Sequence, residues 1–147
     1  MHVEIREQTF QPWRELEQYD TARQQAGKAG ALASFVGSMR DFNDGEAVRG
    51  MRLEHYPGMT EKHIREIGEQ AGRQWQVLDS LVLHRVGEVR IGEAIVLVAV
   101  WAAHRGDAMD ACRFIIEDLK ARAPFWKKEQ LQNHERWVES NTSGYSE

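Results

Sequence analysis

The chain has 147 residues and a formal net charge of -4, with 41% hydrophobic and 29% charged residues. This size and composition are typical of one soluble globular domain, and the acidic balance argues against a protein that coats nucleic acid or an anionic membrane. The single cysteine, Cys112, excludes an internal disulfide framework and a multi-cysteine zinc site, and it favours a reducing compartment.

The first elements are a short strand, a helix and an apolar strand. Residues 3–5 alternate and predict the short strand, and Pro12 opens the helix because proline fits a first turn. The N-terminal residues 1–7 are charged and lack the apolar stretch of a signal peptide, so we expect a cytoplasmic protein. Residues 31–37 are apolar and few, which favours a buried strand.

A turn and another strand follow. Asp44 and Gly45 form a strong turn signal inside a polar stretch. Residues 48–56 then alternate, with Met51 and Leu53 on one face. We therefore predict that the strands on the two sides of this turn pair as a hairpin.

The middle of the chain predicts a helix and then the centre of a sheet. Residues 57–59 break the strand pattern, and Thr60 is the predicted cap of the helix. Residues 81–83 predict a strand, residues 90–93 a turn, and residues 94–103 a central strand covered on both faces, because they are apolar throughout. This run is about half as long as a membrane-spanning helix, so we expect no membrane contact. The predicted buried stripe of the helix is Ile64, Ile67, Ala71 and Trp75.

A second long helix and a last strand complete the pattern. Asp107 is the predicted cap of this helix, Pro124 ends it, and residues 135–139 predict the strand. The mixed order of hairpins and helices indicates an α+β fold in one domain, residues 1–140, with residues 141–147 as a flexible tail. The buried stripe of this helix, with a period of 3.6 residues, is predicted to be Ala108, Ala111, Cys112, Ile115, Ile116 and Leu119.

The end of this helix carries the first candidate site. Lys120 falls at the edge of the apolar stripe, where a lysine amine that is partly desolvated can serve as a nucleophile or an acid–base group. Lys127 follows a proline and two aromatics and could fold back toward Lys120, and Arg122 and Lys128 could add further positive charge. From spacing alone, a solvated lysine on a helix edge is the simpler interpretation.

Two further positions are candidates for anion binding. His104 and Arg105 directly follow the central strand and precede a helix N-terminus, where phosphate groups bind readily. Arg40 lies where the apolar strand gives way to the polar loop, and a cation there can close over a ligand. A boundary histidine and an ordinary surface arginine are the alternatives. The sequence contains no nucleotide-binding glycine motif and no metal-binding motif, and Cys112 is predicted to be a core residue.

Several separated segments together resemble the large, catalytic subunit of molybdopterin synthase. The principal four are residues 40–45, 53–59, 103–105 and 119–128, and segments 84–88 and 136–139 are similar to the same family. Each segment is short, but their order and separations make the set specific. The resemblance runs from about residue 31 to residue 139, which is most of the chain.

This resemblance implies a fold, an activity and partners. The implied fold is an α/β hammerhead with an additional antiparallel β subdomain. The implied activity is the insertion of two sulfurs into cyclic pyranopterin monophosphate, which forms the dithiolene of molybdopterin without a metal or other cofactor. The sulfur donor is the C-terminal Gly-Gly thiocarboxylate of a small ubiquitin-like subunit. Large subunits pair as a homodimer with one small subunit at each end, which gives a heterotetramer.

The resemblance also implies roles for single residues. Lys120 matches the family's lysine that meets the carrier's tail, and Lys127 matches the second active-site lysine; paired cations can stabilise an acyl oxyanion. His104 and Arg105 match residues of the substrate pocket, either in the same chain or across the dimer, and suit a phosphate group. The other matches to substrate-binding residues are Ser38, Met39, Arg40, Lys128 and Glu129.

Two departures and two alternative functions stay open at this point. Asp107 is acidic where small or neutral residues are expected, and it could weaken the phosphate site or only cap the helix. Asn141 stands where some relatives carry a basic residue. The main alternative is a non-catalytic module that binds a Gly-Gly tail, and a retained phosphate clamp argues against it. A nucleic-acid binder is disfavoured by the acidic balance.

Overall fold

The computed structural model describes residues 1–23, 27–139 and 143–145. These ranges form three helices and nine strands in two sheets. Their bounds in chain order are β1 His2–Arg6, α1 Pro12–Ala22, β2 Ala31–Ser38, β3 Phe42–Asn43, β4 Glu46–His55, α2 Met59–Gln74, β5 Val77–Arg85, β6 Gly87–Arg90, β7 Ala94–Ala102, α3 Arg105–Arg122, β8 Phe125–Leu131 and β9 Glu135–Trp137.

The first sheet has the strand order β1-β5-β7-β2 and is covered by helices on both faces. β1 runs parallel to β5, and the other pairs are antiparallel. The side chains of β7 alternate between two cores because successive residues of a strand point to opposite faces. Val96, Val98 and Val100 pack with α2 and α3, whereas Leu97 and Trp101 pack on the side of α1. The predicted central strand is therefore confirmed.

The second sheet is antiparallel, with the order β3-β4-β8-β9 and with β6 also paired to β4. It encloses a smaller core of its own, which includes Met39, Met51 and Leu53. The predicted alternation of β4 is confirmed, since Met51 and Leu53 are buried while Arg52 and Glu54 are exposed. Two sheets and three helices confirm the predicted α+β class with an additional antiparallel sheet.

The predicted hairpin between β2 and β4 is wrong. β2 pairs with β7 and lies at the edge of the first sheet, with Leu32 41% and Phe35 36% exposed, so it is not the buried strand expected. The chain crosses to the second sheet after β2, where Met39 exchanges backbone hydrogen bonds with Gly92 and Glu93. The Asp44-Gly45 turn does form, but it joins β4 to the two-residue β3.

The two predicted helix caps are also wrong. Thr60 is fully buried in the first turn of α2, where its hydroxyl accepts from the Tyr56 N–H and donates to the Pro124 carbonyl. The Gly58 N–H instead donates to the carboxylate of Glu61. His104 is the N-cap residue of α3, and no side-chain hydrogen bond caps this end of the helix. Asp107 lies in the first turn, where its negative charge interacts favourably with the helix dipole.

β8 is the longest element that the sequence pattern did not predict, and the short strands β3 and β6 were not predicted either. The inward positions of β8 include Lys127 and Glu129, so the strand lacks the apolar alternation that marks a half-buried strand. α3 ends before Pro124, as predicted, and the final strand is confirmed as β9.

Two further predictions concern the C-terminal tail and the absence of a membrane-spanning helix. Of the predicted tail, only residues 143–145 belong to the described part of the chain, and Asn141 lies outside it, so the domain division stays a prediction. In the described ranges no helix is long and apolar enough to cross a membrane.

Candidate active site

A recess opens where the two sheets meet, between the end of β2, the end of α3 and the start of β8. It consists of two adjoining cavities of about 330 and 340 Å³, here named the first and the second cavity. Ser38, Lys120 and Lys127 line both of them. The recess therefore collects side chains that are far apart in sequence, as a site for a small ligand requires.

Two elements bring the lysines together. Lys120 lies in the last turn of α3, one turn after the buried Ile116, so its stem follows the apolar face of the helix. The chain then reverses at Ala123 and Pro124, and Lys127 enters from β8 opposite Leu53 of β4. The prediction that Lys127 folds back toward Lys120 is supported by this geometry, although a strand rather than a loop carries it.

The amine of Lys127 is held in an unfavourable place for a charge. Desolvation by burial lowers the pKa of Lys127, Lys120 lowers it further, and Glu129 opposes the shift. A lysine with a lowered pKa is deprotonated more often near neutral pH than a solvated lysine, so more of it is available to accept a proton. The paired amines therefore combine positive charge with a group that can exchange a proton.

Two predicted neighbours of this pair lie elsewhere. Lys128 points to the opposite face of β8, where its ammonium is 2.8 Å from Glu135 and lies over the ring of Trp137. Arg122 pairs with Asp118 on the exposed side of α3. The structure thus places Lys128 on the face of β8 that points away from the recess, because successive residues of a strand face opposite sides, and its part in substrate binding stays a prediction.

The segment after β2 forms the wall of the second cavity. Ser38 ends the strand beside the cavity, and Met39 is buried beneath it with its backbone fixed by Gly92 and Glu93. Arg40 lines the same cavity and is exposed, so its guanidinium lies at the mouth of the recess. These three predicted substrate residues lie together with the two lysines.

Glu129 lines the second cavity, but its carboxylate is engaged by the protein itself. The side-chain amide of Asn43 donates to both carboxylate oxygens at 3.0 and 3.1 Å, and Arg136 Nε donates to one of them at 3.0 Å. Arg136 also donates to the Asn43 carbonyl and to Glu46. Glu129 therefore anchors the cavity wall within this chain, and its part in substrate binding stays a prediction.

His104 and Arg105 lie at the other end of α3 from Lys120. Both are exposed, and a helix of this length separates its two ends by about 25 Å. They also do not line either cavity. A single chain therefore does not bring the predicted phosphate clamp to the lysine pair.

Among the cavity residues that the sequence analysis did not single out, His84 is a buried ionisable one. His84 follows the apolar run of β5, is 4% exposed and lines the first cavity, with its ring stacked on Phe125. A histidine continuing a buried strand was the available signal. Cys112 is buried as predicted, and burial raises the pKa of its thiol to about 11.

Comparisons with known proteins agree with this fold. A family model described as MoaE protein matches residues 7–122. A molybdopterin synthase catalytic subunit from Ralstonia nicotianae is 54% identical over 78% of this chain and 65% of its own length. One from Pseudomonas aeruginosa is 48% identical over 97% of this chain and 93% of its own. The crystal structure of molybdopterin synthase from Staphylococcus aureus matches with a TM-score of 0.81 and 30% identity, over 91% of this chain and 94% of that one.

Fold and relatives define an enzyme subunit, and the recess with its two lysines is its candidate site. The chain belongs to the MoaE family, the catalytic subunits of molybdopterin synthase. This confirms the resemblance inferred from the separated sequence segments, and with it the expectation that the chain is an enzyme of molybdopterin synthesis.

Proposed function

We propose that the chain transfers sulfur from the C-terminal thiocarboxylate of a small ubiquitin-like carrier to cyclic pyranopterin monophosphate, and so forms the dithiolene of molybdopterin. The observation that carries this proposal is the pairing of Lys120 and Lys127 in one recess of a MoaE-family chain. The two lysines come from α3 and β8, so only the folded chain creates the site.

The two amines take different parts in this proposal. Lys120 faces the acyl end of the carrier, where positive charge stabilises the oxyanion that forms as the thiocarboxylate carbon gives up its sulfur. Lys127 faces the pterin and exchanges a proton with it, for which its lowered pKa suits it. Both cations also attract an anionic substrate into a protein of net negative charge.

The phosphate of the substrate is held by groups from two chains in this proposal. Arg40 lies at the mouth of the recess and supplies a guanidinium from the same chain. His104 and Arg105 are too far along α3 to reach that recess, so a neighbouring large subunit contributes them. Ser38 and Met39 shape the wall beside the bound substrate.

This division of the site implies the assembly. Two large subunits form a homodimer, and one carrier inserts its Gly-Gly tail at each end, which makes a heterotetramer. The recess, open to the surface at Arg40 and Trp126, is the place where an extended tail can reach Lys120. The thiol of Cys112 is compatible with a reducing compartment, and we propose the cytoplasm.

The direct test is reconstituted synthesis with a thiocarboxylated carrier and the cyclic pterin. We expect Lys120→Ala and Lys127→Ala each to lower dithiolene formation by about 100-fold or more, because each removes a charge from the reacting centre. The rate is measured as molybdopterin formed per unit time at a fixed concentration of carrier. The matched control is Lys62→Ala, which removes an exposed lysine of α2 and should leave the rate unchanged.

Wild-type rates in both variants would contradict the assignment. Calorimetry with the cyclic pterin separates the enzyme from a module that only grips the carrier's tail. The proposed enzyme binds the pterin, and Arg40→Ala weakens that binding, whereas a pure tail-binding module shows no heat of pterin binding.

A further inference from the structure

His84 is a buried ionisable residue at the first cavity to which the proposed reaction gives no role. It lies on β5 and is 4% exposed. Its Nδ1 is 2.7 Å from the Arg85 carbonyl, and its ring stacks on that of Phe125 with centroids 3.8 Å apart and planes 15° from parallel. One side of the ring is thus locked by backbone and one face by an aromatic side chain.

These contacts determine the state of the ring. A carbonyl oxygen only accepts hydrogen bonds, so Nδ1 carries the hydrogen and Nε2 does not. Burial lowers the pKa of His84 to about 3 despite the bond to the Arg85 carbonyl, and the charges of Lys127, Lys120 and His55 act in the same direction. The imidazole is therefore neutral across the physiological pH range.

The stack connects the ring to the active-site lysine. Phe125 and Lys127 are two residues apart, so both side chains point to the inner face of β8. His84 belongs to the first sheet and β8 to the second. The His84–Phe125 pair is consequently a contact between the sheets at the point where Lys127 enters the cavity.

We propose that His84 is a positioning residue of this site: stacked on Phe125, its uncharged ring fixes the start of β8 and shields the amine of Lys127 from water. The ring contacts neither sulfur nor pterin in this proposal. The rate effect rests on the proposed function, whereas the effect on the amine of Lys127 does not.

Because the surroundings of Lys127 are already charged, the residue that shields its amine from water has to be neutral. Lys120 of α3 and Glu129 of β8 act on its amine with opposite signs. His55 of β4 and His84 of β5 belong to the same cluster, and Glu139 also lines the first cavity. A positively charged side chain at position 84 would repel both lysines, a negative one would raise the pKa of Lys127, and a small one would admit water to them.

Two substitutions separate shielding from mere stability. His84→Ala removes the stack, whereas His84→Phe keeps an uncharged aromatic ring. The titration of Lys127 is followed by NMR after ¹³C reductive methylation, without substrate, and its signal is assigned by its loss in Lys127→Arg. We expect His84→Ala to raise the midpoint by about one unit, toward the ordinary 10.5, and His84→Phe to leave it in place.

The rate of sulfur transfer is the second measurement. We expect His84→Ala to lower it about tenfold at neutral pH and to move the Lys127 limb of the pH profile upward, with His84→Phe within about twofold of wild type. The control is Leu83→Ala, an equally buried position on β5 whose side chain lies on the other face of the sheet. It should lower stability without moving the midpoint.

An unmoved Lys127 midpoint in folded His84→Ala would overturn the proposal. If that variant does not fold, Phe125→Leu removes the stack while keeping apolar volume; an upward shift supports the proposal and an unmoved midpoint overturns it. A shifted midpoint with an unchanged rate supports the positioning role and instead contradicts the part given to Lys127 in the reaction.

Discussion

Lys127 places a positive charge where water is largely excluded and where the ammonium of Lys120 lies nearby. A lowered lysine pKa means that folding disfavours the charged form relative to the unfolded chain. Below its folded pKa, Lys127 therefore costs the protein stability. The cost shrinks as the pH rises from the folded pKa to the ordinary 10.5, because the folded chain loses its proton first.

Lys127→Met removes the charge and keeps a stem of similar length. We expect a gain in the free energy of unfolding on the order of 1 kcal/mol at neutral pH, together with loss of synthesis. Urea unfolding at several pH values measures it, and the gain should disappear above about pH 10.5. The matched control is Lys128→Met, on the outer face of β8, which should bring no gain. A destabilised Lys127→Met would show that the buried amine is well compensated.

At this scale the sequence predicts some site residues well and others poorly. Lys120 could be placed at the edge of a buried stripe because α3 keeps a regular helical period. Lys128 and Glu129 could not be placed in this way. Their surroundings depend on which face of β8 each side chain occupies, and the sequence of that strand has no clear alternation of apolar and polar residues. His84 escaped notice because a single histidine in an apolar strand is most often a core residue.

β8 and the hairpin of β3 and β4 are held together by one buried carboxylate. The Glu129 carboxylate accepts hydrogen bonds from Asn43 of β3 and from Arg136 of β9. Arg136 also donates to the carboxylate of Glu46 on β4. The link between β2 and β3, which carries Arg40, is thereby attached to the same network. Charge-assisted bonds of this kind are stronger than neutral ones, and losing one partner leaves the others unsatisfied.

Glu129→Gln should loosen this part of the second sheet. The amide keeps one acceptor oxygen but loses its charge toward Arg136, so we expect a loss of about 2 kcal/mol in the free energy of unfolding. Substrate binding should weaken as well, because the Arg40 segment loses its anchor. The control, Glu135→Gln, breaks the exposed pair with Lys128 and should cost at most about 1 kcal/mol. Equal stabilities of the two variants would argue against an anchoring role.

Helices and the sheet centre could be predicted from the sequence, but the partners of the strands could not. The stripe of α3 and the apolar run of β7 each give a local pattern that decides their place. β2 and β4 flank a true turn yet join different sheets, because their partners β7 and β8 lie far along the chain. Strand pairing over such separations leaves no local signal in the sequence.

The length of α3 decides how many chains a complete site needs. Its first residue follows His104 and its last turn holds Lys120, so the two parts of the proposed site lie at opposite ends of one rigid rod. A symmetric dimer can bring one end of each helix to the recess of the other chain. The proposed dimer is therefore a requirement of catalysis as well as of stability.

Mixing two inactive variants tests this arrangement. The Lys120→Ala chain keeps His104 and Arg105, which it can contribute to the recess of its neighbour. The Arg105→Ala chain keeps both lysines of its own recess. After subunit exchange, half of the dimers are mixed and each holds one intact site, so we expect about a quarter of the wild-type activity. The control is the same mixture of Lys120→Ala with Lys127→Ala, whose lesions share one recess and cannot complement. Absence of recovery in the first mixture would contradict the transfer of His104 and Arg105 to the neighbouring chain's recess.

The position of β2 at the edge of the first sheet affects how the isolated chain behaves in solution. An edge strand presents a row of backbone donors and acceptors that can pair with a strand from another molecule. Leu32 and Phe35 add exposed apolar surface to this row, and the irregularity at Gly37 and Ser38 interrupts it only near the recess. When the chain is overproduced or heated without its partners, we expect it to aggregate by backbone pairing between the β2 edge strands of different molecules. The helices should still be folded in the early aggregates.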